Sequence, residues 1–67
     1  MKIAIYGYGN LGRGVECAVQ QNPDMQLTGV FTRRDPATVN TVLGTPVYHT
    51  SDLEAHKEEI DVLIICG

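Results

Sequence analysis

Ile3-Ala4-Ile5-Tyr6-Gly7-Tyr8-Gly9-Asn10-Leu11-Gly12-Arg13 decides the fold of this chain. The apolar run Ile3 to Tyr6 reads as a buried strand that ends directly at Gly7. A helical pattern begins directly after Asn10. Between them the glycines are spaced Gly7-x-Gly9-x-x-Gly12. Spacing alone is a common pattern, and a turn rich in glycine only for packing is the competing reading. Strand–turn–helix placement turns it into a dinucleotide-binding fingerprint. Gly7 makes the tight turn out of the strand. Gly9, lacking a Cβ, lets a pyrophosphate approach the backbone, and Gly12 lets the helix lie close to the strand. The phosphates then meet unpaired N–H groups and the positive end of the helix dipole.

Working outward, the first helix is predicted from Asn10 to Gln21. Leu11, Val15, Ala18 and Val19 form its apolar face, and Arg13, Glu16, Gln20 and Gln21 point away. Pro23 ends it. A second strand runs from Gln26 to Phe31, interrupted by Gly29, which suggests a close approach. Asp35-Pro36 starts a short helix over 37–43 as N-cap and first helical residue, and Gly44 closes it. Pro46 to His49 is a third strand. Ser51 and Glu54 have the spacing of a capping box for a helix reaching Glu59. Asp61 to Gly67 is a fourth strand, apolar enough to be covered on both faces. Right-handed crossovers then give an α/β fold: a Rossmann-like parallel sheet in the order 3-2-1-4, half of a doubly wound fold plus one strand. Residues 1–67 read as the N-terminal part of a dinucleotide-binding domain of a larger enzyme.

The ligand is read from the tip of the second strand. An NAD site usually carries Asp or Glu about 20 residues beyond the last glycine, on the ribose 2′-hydroxyl. That count arrives at Thr32, and Arg33 and Arg34 follow. A guanidinium fork matches a phosphate, and the missing acid removes repulsion. The combination predicts NADP, with Thr32 as an added hydroxyl. A solvated arginine pair beside Asp35 is the bland alternative. Arg13 faces either the pyrophosphate or solvent.

Composition sets the outer limits. The 67 residues carry five Lys or Arg against eight Asp or Glu, a net charge of −3. That balance argues against a nucleic-acid binder. A chain this short buries only about 60% of its unfolded surface. No apolar run approaches the ~20 residues of a membrane span, and no signal-peptide layout opens the chain. Cys17 and Cys66 lack disulfide or metal spacing, so a reducing cytoplasm is expected. His49 and His56 have no partners at ligand spacing, and Glu54, Glu58 and Glu59 make a solvated face. The chain offers no metal set and no catalytic acid–base pair.

Residues 5–16, Ile-Tyr-Gly-Tyr-Gly-Asn-Leu-Gly-Arg-Gly-Val-Glu, resemble meso-diaminopimelate dehydrogenase. So do Gln21-Asn22-Pro23-Asp24-Met25, Val30-Phe31-Thr32-Arg33-Arg34 and Asp61 to Gly67. The resemblance spans the chain. It implies an NADP-dependent oxidoreductase that reversibly deaminates the D-centre of meso-2,6-diaminopimelate to L-2-amino-6-oxopimelate and ammonia, in lysine and cell-wall precursor metabolism. It also implies a homodimer whose substrate and dimerisation domain, with the catalytic residues, lies outside these residues. The cofactor set it implies is Gly7, Tyr8, Gly9, Asn10, Leu11 and Gly12 at the pyrophosphate. Thr32, Arg33 and Arg34 fall at the 2′-phosphate, and Cys66 and Gly67 near the ribose or nicotinamide. Another NADP-dependent reductase and a non-catalytic dinucleotide sensor share the same cofactor signals, since one scaffold hosts many functions.

Overall fold

The computed structural model describes residues 1–66, so Gly67 lies outside the described residues. Four strands, β1 (Lys2–Tyr6), β2 (Gln26–Thr32), β3 (Val47–His49) and β4 (Val62–Ile65), form one sheet in the order β3-β2-β1-β4. Every neighbouring pair is parallel, as the crossovers predict. β1 is central because Ile3, Ala4 and Ile5 have no polar group to keep in water; all three are buried, with Val30 and Phe31 beside them on β2.

The ladder carries one irregularity. Ile3 pairs with Leu27 and Ala4 with Gly29, so Thr28 is an extra residue on β2. Its hydroxyl donates to the Ile3 carbonyl at 3.1 Å. A Cβ added to Gly29 would lie 2.8 Å from Cε2 of Tyr48. The close approach expected at Gly29 is thus made by an aromatic ring. That ring also packs against Phe31 and His56, with centroids 5.5 and 4.4 Å away. His56, read as an exposed helix residue, is half-buried in this stack.

At the start of the sheet, the Lys2 amide donates to the Asp61 carboxylate at 2.7 Å, and the Asp61 amide to the Lys2 carbonyl at 2.8 Å. This reciprocal pair sets the register of β4. Val62 and Ile65 are nonetheless exposed, so β4 is not covered on both faces among the described residues.

Helix α1 runs Asn10–Gln20 with Gln21 as its C-cap. Its buried line is Gly12, Glu16 and Val19, not the predicted Leu11, Val15, Ala18 and Val19. Leu11 is 64% exposed and Glu16 is wholly buried. Apolar spacing misplaces the stripe because the charged residue goes inward, where it finds partners.

The segment after β2 holds only a single 3₁₀ turn, Pro36–Thr38, in place of a helix over 37–43. Its start is as predicted: Asp35 accepts the Ala37 amide at 3.0 Å, with Pro36 in the first position. Gly44 follows at φ 75°. The connection from β3 to β4 is a 3₁₀ turn (Thr50–Asp52), a single α-turn α2 (Leu53–His56) and a second 3₁₀ turn (Lys57–Glu59). The Ser51–Glu54 capping box does not form. His49 takes its place, its Nδ1 accepting the Ser51 amide at 3.1 Å.

Candidate functional site

The C-terminal ends of β1, β2 and β4 open on a cleft of about 310 Å³ lined by Tyr6, Gly7, Tyr8, Gly9, Thr32, Arg33, Arg34 and Cys66. Open parallel sheets bind ligands in this crevice, outside the strand ends where the order reverses. The sheet itself aims the turn. The Gly7 amide donates to the Phe31 carbonyl and the Cys66 amide to the Tyr6 carbonyl, each at 2.8 Å. β1 is therefore held on both sides up to the residue where it turns.

Gly7 then turns at φ 88°, in the left-handed region that side chains disfavour. Gly9 is extended and caps α1 without a side-chain hydrogen bond. A Cβ added to Gly9 meets nothing within 4 Å, so the space over it is open to a ligand. Gly12 is the opposite case. Its added Cβ would stand 3.0 Å from the Gly7 carbonyl and 3.2 Å from Cδ1 of Tyr8, which is the close helix–turn packing its position predicts.

The first intrahelical bond runs from the Arg13 amide to the Gly9 carbonyl at 2.9 Å. Amides earlier in the first turn have no partner of that kind. No acidic residue stands in that turn. The arrangement suits an anion, because donors and helix dipole point the same way. Asn10, Leu11 and Gly12 form this turn without lining the cleft, and Arg13 is exposed and lies outside the lining.

The tip of β2 faces the glycine turn across the cleft. Thr32 is buried, and its hydroxyl oxygen accepts the Arg34 amide at 3.1 Å. The Arg34 guanidinium donates to the Tyr8 carbonyl at 3.2 Å, so β2 and the glycine turn are joined by a side chain. Arg33 is exposed on the same cleft. Its carbonyl is bonded by Nε2 of His49 at 3.2 Å. With Nδ1 accepting from Ser51, Nε2 is the nitrogen left to donate. His49 therefore fastens the arginine backbone to β3, a role its lone position in the sequence does not signal.

Sequence reasoning also missed what lies beneath the turn. The Glu16 carboxylate accepts from the Tyr8 hydroxyl and the Thr45 hydroxyl, each at 2.5 Å, and from the Val42 and Leu43 amides, each at 3.2 Å. The Tyr8 hydroxyl itself accepts the Val42 amide at 3.0 Å. Burial pushes the Glu16 carboxyl up, but the bonds from Thr45, Tyr8, Leu43 and Val42 outweigh it and hold the group below its ordinary value. Burial first, then the bond to Glu16, pushes the Tyr8 phenol up. Glu16 is thus ionised and Tyr8 neutral across the physiological range. The available signal was a glutamate four residues after the last fingerprint glycine, on the line Gly12 and Val19 share.

Cys66 sits on the cleft where β4 ends, and its thiol makes one weak contact, with the Ile64 carbonyl at 3.9 Å. Among the described residues no three His, Cys, Asp or Glu gather as a metal site, and no helix is long and apolar enough to cross a membrane.

Comparison with known proteins adds family to this geometry. The meso-diaminopimelate D-dehydrogenase of Ureibacillus thermosphaericus is 60% identical over 67 residues, 100% of this chain and 21% of the relative. An engineered D-amino acid dehydrogenase bound to NADP+ superposes with a TM-score of 0.89 at 45% identity, over 100% of this chain and 20% of the other. The Corynebacterium glutamicum DAP dehydrogenase in complex with DAP gives 0.88 at 45% identity, with the same coverage. The chain thus spans about a fifth of the length of the relatives it matches. The family model described as a CoA binding domain matches residues 1–67. A glycine turn on a parallel sheet, matched from end to end by that model, makes this chain a member of the CoA binding domain family.

Proposed function

We propose that these residues are the NADP-binding part of a longer dehydrogenase that acts on the CH–NH2 group of meso-diaminopimelate. One observation carries the cofactor reading. Arg33 and Arg34 open on the same cleft as the glycine turn, and no carboxylate is among its lining residues. Gly9 and the first turn of α1 receive the pyrophosphate, and the arginines receive the 2′-phosphate. Thr32 and His49 hold the arginine backbone in place. Tyr6 and Cys66 border the route from the pyrophosphate toward the nicotinamide. When bound, the nicotinamide supplies hydride chemistry; the residues that present the amino acid to it belong to the remainder of the protein. The substrate rests on the similarity to meso-diaminopimelate dehydrogenases, one of which is solved in complex with DAP. A cytoplasmic homodimer serving lysine and cell-wall precursor metabolism completes the reading.

The test is a titration of the full-length protein with NADPH, NADH and coenzyme A, which also carries a pyrophosphate and a ribose phosphate. A charged hydrogen bond is worth about 1.5–3 kcal/mol, so NADPH binds roughly 10- to 100-fold more tightly than NADH. The margin shrinks with salt. Replacing both Arg33 and Arg34 by Ala weakens NADPH far more than NADH. Gly9→Val blocks both in a folded protein. Equal affinity for NADPH and NADH, or tightest binding of coenzyme A, overturns the cofactor reading. NADP reduction with meso-diaminopimelate by the longer protein, and none by residues 1–67 alone, completes the test. Activity on another substrate alone would leave the cofactor and remove the amino acid.

A further inference from the structure

Glu16 is a wholly buried carboxylate that the cofactor contacts above do not use. Its placement concerns Tyr8. Tyr8 stands between Gly7, at φ 88°, and Gly9, extended at φ −165°. Glycine on both sides leaves its backbone without the restraint that neighbouring side chains give. Its orientation is set at the far end of the ring instead. The hydroxyl is held by Glu16 at 2.5 Å and by the Val42 amide at 3.0 Å, and the ring edge lies against Gly12. At the near end, the Tyr8 carbonyl takes the Arg34 guanidinium.

We propose that Glu16 is a positioning residue for the NADP phosphates, acting through the Tyr8 ring to fix the Gly7–Gly9 backbone and, by the Tyr8 carbonyl, the place of Arg34 over the cleft. The proposal rests on the cofactor reading above and adds a residue that touches no part of the cofactor. The anchored ring spares the ligand the cost of ordering a turn flanked by glycine, which raises affinity without a new contact. It also makes discrimination between NADP and NAD depend on a hydroxyl on the side of the turn away from the cleft.

The test uses Tyr8→Phe in the full-length protein, with Thr45→Val as its control. Tyr8→Phe keeps the ring and removes the hydroxyl. Thr45→Val removes a bond of equal length to Glu16 and leaves Tyr8 anchored. Dissociation constants for NADPH and NADH, read by nucleotide fluorescence, are compared with the melting temperature of each variant. Tyr8→Phe weakens NADPH by about tenfold and NADH by less, so the ratio of the two falls, one charged hydrogen bond being the source. Thr45→Val lowers the melting temperature and keeps the wild-type ratio. Glu16→Gln, which retains one acceptor, falls between wild type and Tyr8→Phe in its ratio. An unchanged ratio in Tyr8→Phe overturns the proposal, whatever its melting temperature. Loss of the ratio in Thr45→Val to the same degree overturns it too, as the cluster then acts only through stability. A wild-type protein that binds both nucleotides equally overturns the cofactor reading itself, and is recognised before any variant is made.

Discussion

Of the three connections that carry this chain between parallel strands, the first and the last are built in opposite ways. Between β1 and β2 lies α1, eleven residues of regular helix that bury Gly12, Glu16 and Val19. Between β3 and β4, at opposite edges of the sheet, lie ten residues in three pieces, none of them buried. The difference is not one of helix propensity, since Leu53-Glu54-Ala55 are good helix formers. A short helix in water is marginal and gains its regularity from a face held by tertiary contacts. α1 has such a face, and Thr50–Glu59 has only half-buried Thr50, Leu53 and His56. The glycine turn gains its rigidity from the first kind of connection. The second only has to reach the far edge.

Substitutions in the two connections break or sharpen this contrast. The largest effect is expected from Glu16→Ala. It strips partners from the Leu43 amide and from the Thr45 and Tyr8 hydroxyls, at roughly 3 kcal/mol in total. Denaturant unfolding measures it, and a loss under about 1 kcal/mol removes the buried carboxylate from its central place. The same group has a pH signature. Its folded pKa is lowered, so its stabilisation is complete above the unfolded value of about 4.3 and is lost as pH falls toward the folded one. Glu16→Gln removes that part of the acid dependence. Tyr8 has the opposite sign: its raised folded pKa protects up to about pH 10, and the contribution is lost above it.

An intermediate effect is expected from Gly12→Ala. The new Cβ meets a backbone oxygen at 3.0 Å, so the turn must give, at about 1–2 kcal/mol. A neutral result would show that the helix can move off the turn. The smallest belongs to the second connection. Glu54 and Lys57 form an ion pair at 3.2 Å, both largely exposed. Glu54→Ala should change stability by less than about 0.5 kcal/mol. A larger loss would mean that this connection carries the sheet as α1 does.

The same contrast separates what the sequence told from what it hid. Strand, turn and helix around Gly7 were legible because each local preference agrees with the global fold. Sheet order followed from handedness. Asp35-Pro36 was legible as a turn start, since a cap acts within a few residues. Glu16 was not, because its partners lie 8 to 29 residues away and two of them are backbone amides, which no side-chain pattern displays. The Ser51–Glu54 box read as a helix start because its spacing is right, yet the ring of His49 reached the Ser51 amide first. His56 looked solvated until Tyr48 folded over Gly29 and gave it a surface to stack on. The cleft residues at β1 and β2 were readable, while the bonds that aim them were not.

The reciprocal pair between Lys2 and Asp61 bears on how the chain finds this fold. The bond spans 59 residues, against 25 for the Thr28 bond that fastens β2 to β1. Loop-closure entropy grows only as the logarithm of length, so the longer closure costs about 0.8 kcal/mol more. The Asp61 carboxylate and the Lys2 backbone at the start of β1 can offset that difference when β4 arrives. Of the four strands, β1 is therefore the first synthesised, and it is flanked on both sides only when the last one arrives. Until Asp61 meets Lys2, the edge of β1 that β4 later fills remains open to any extended segment nearby.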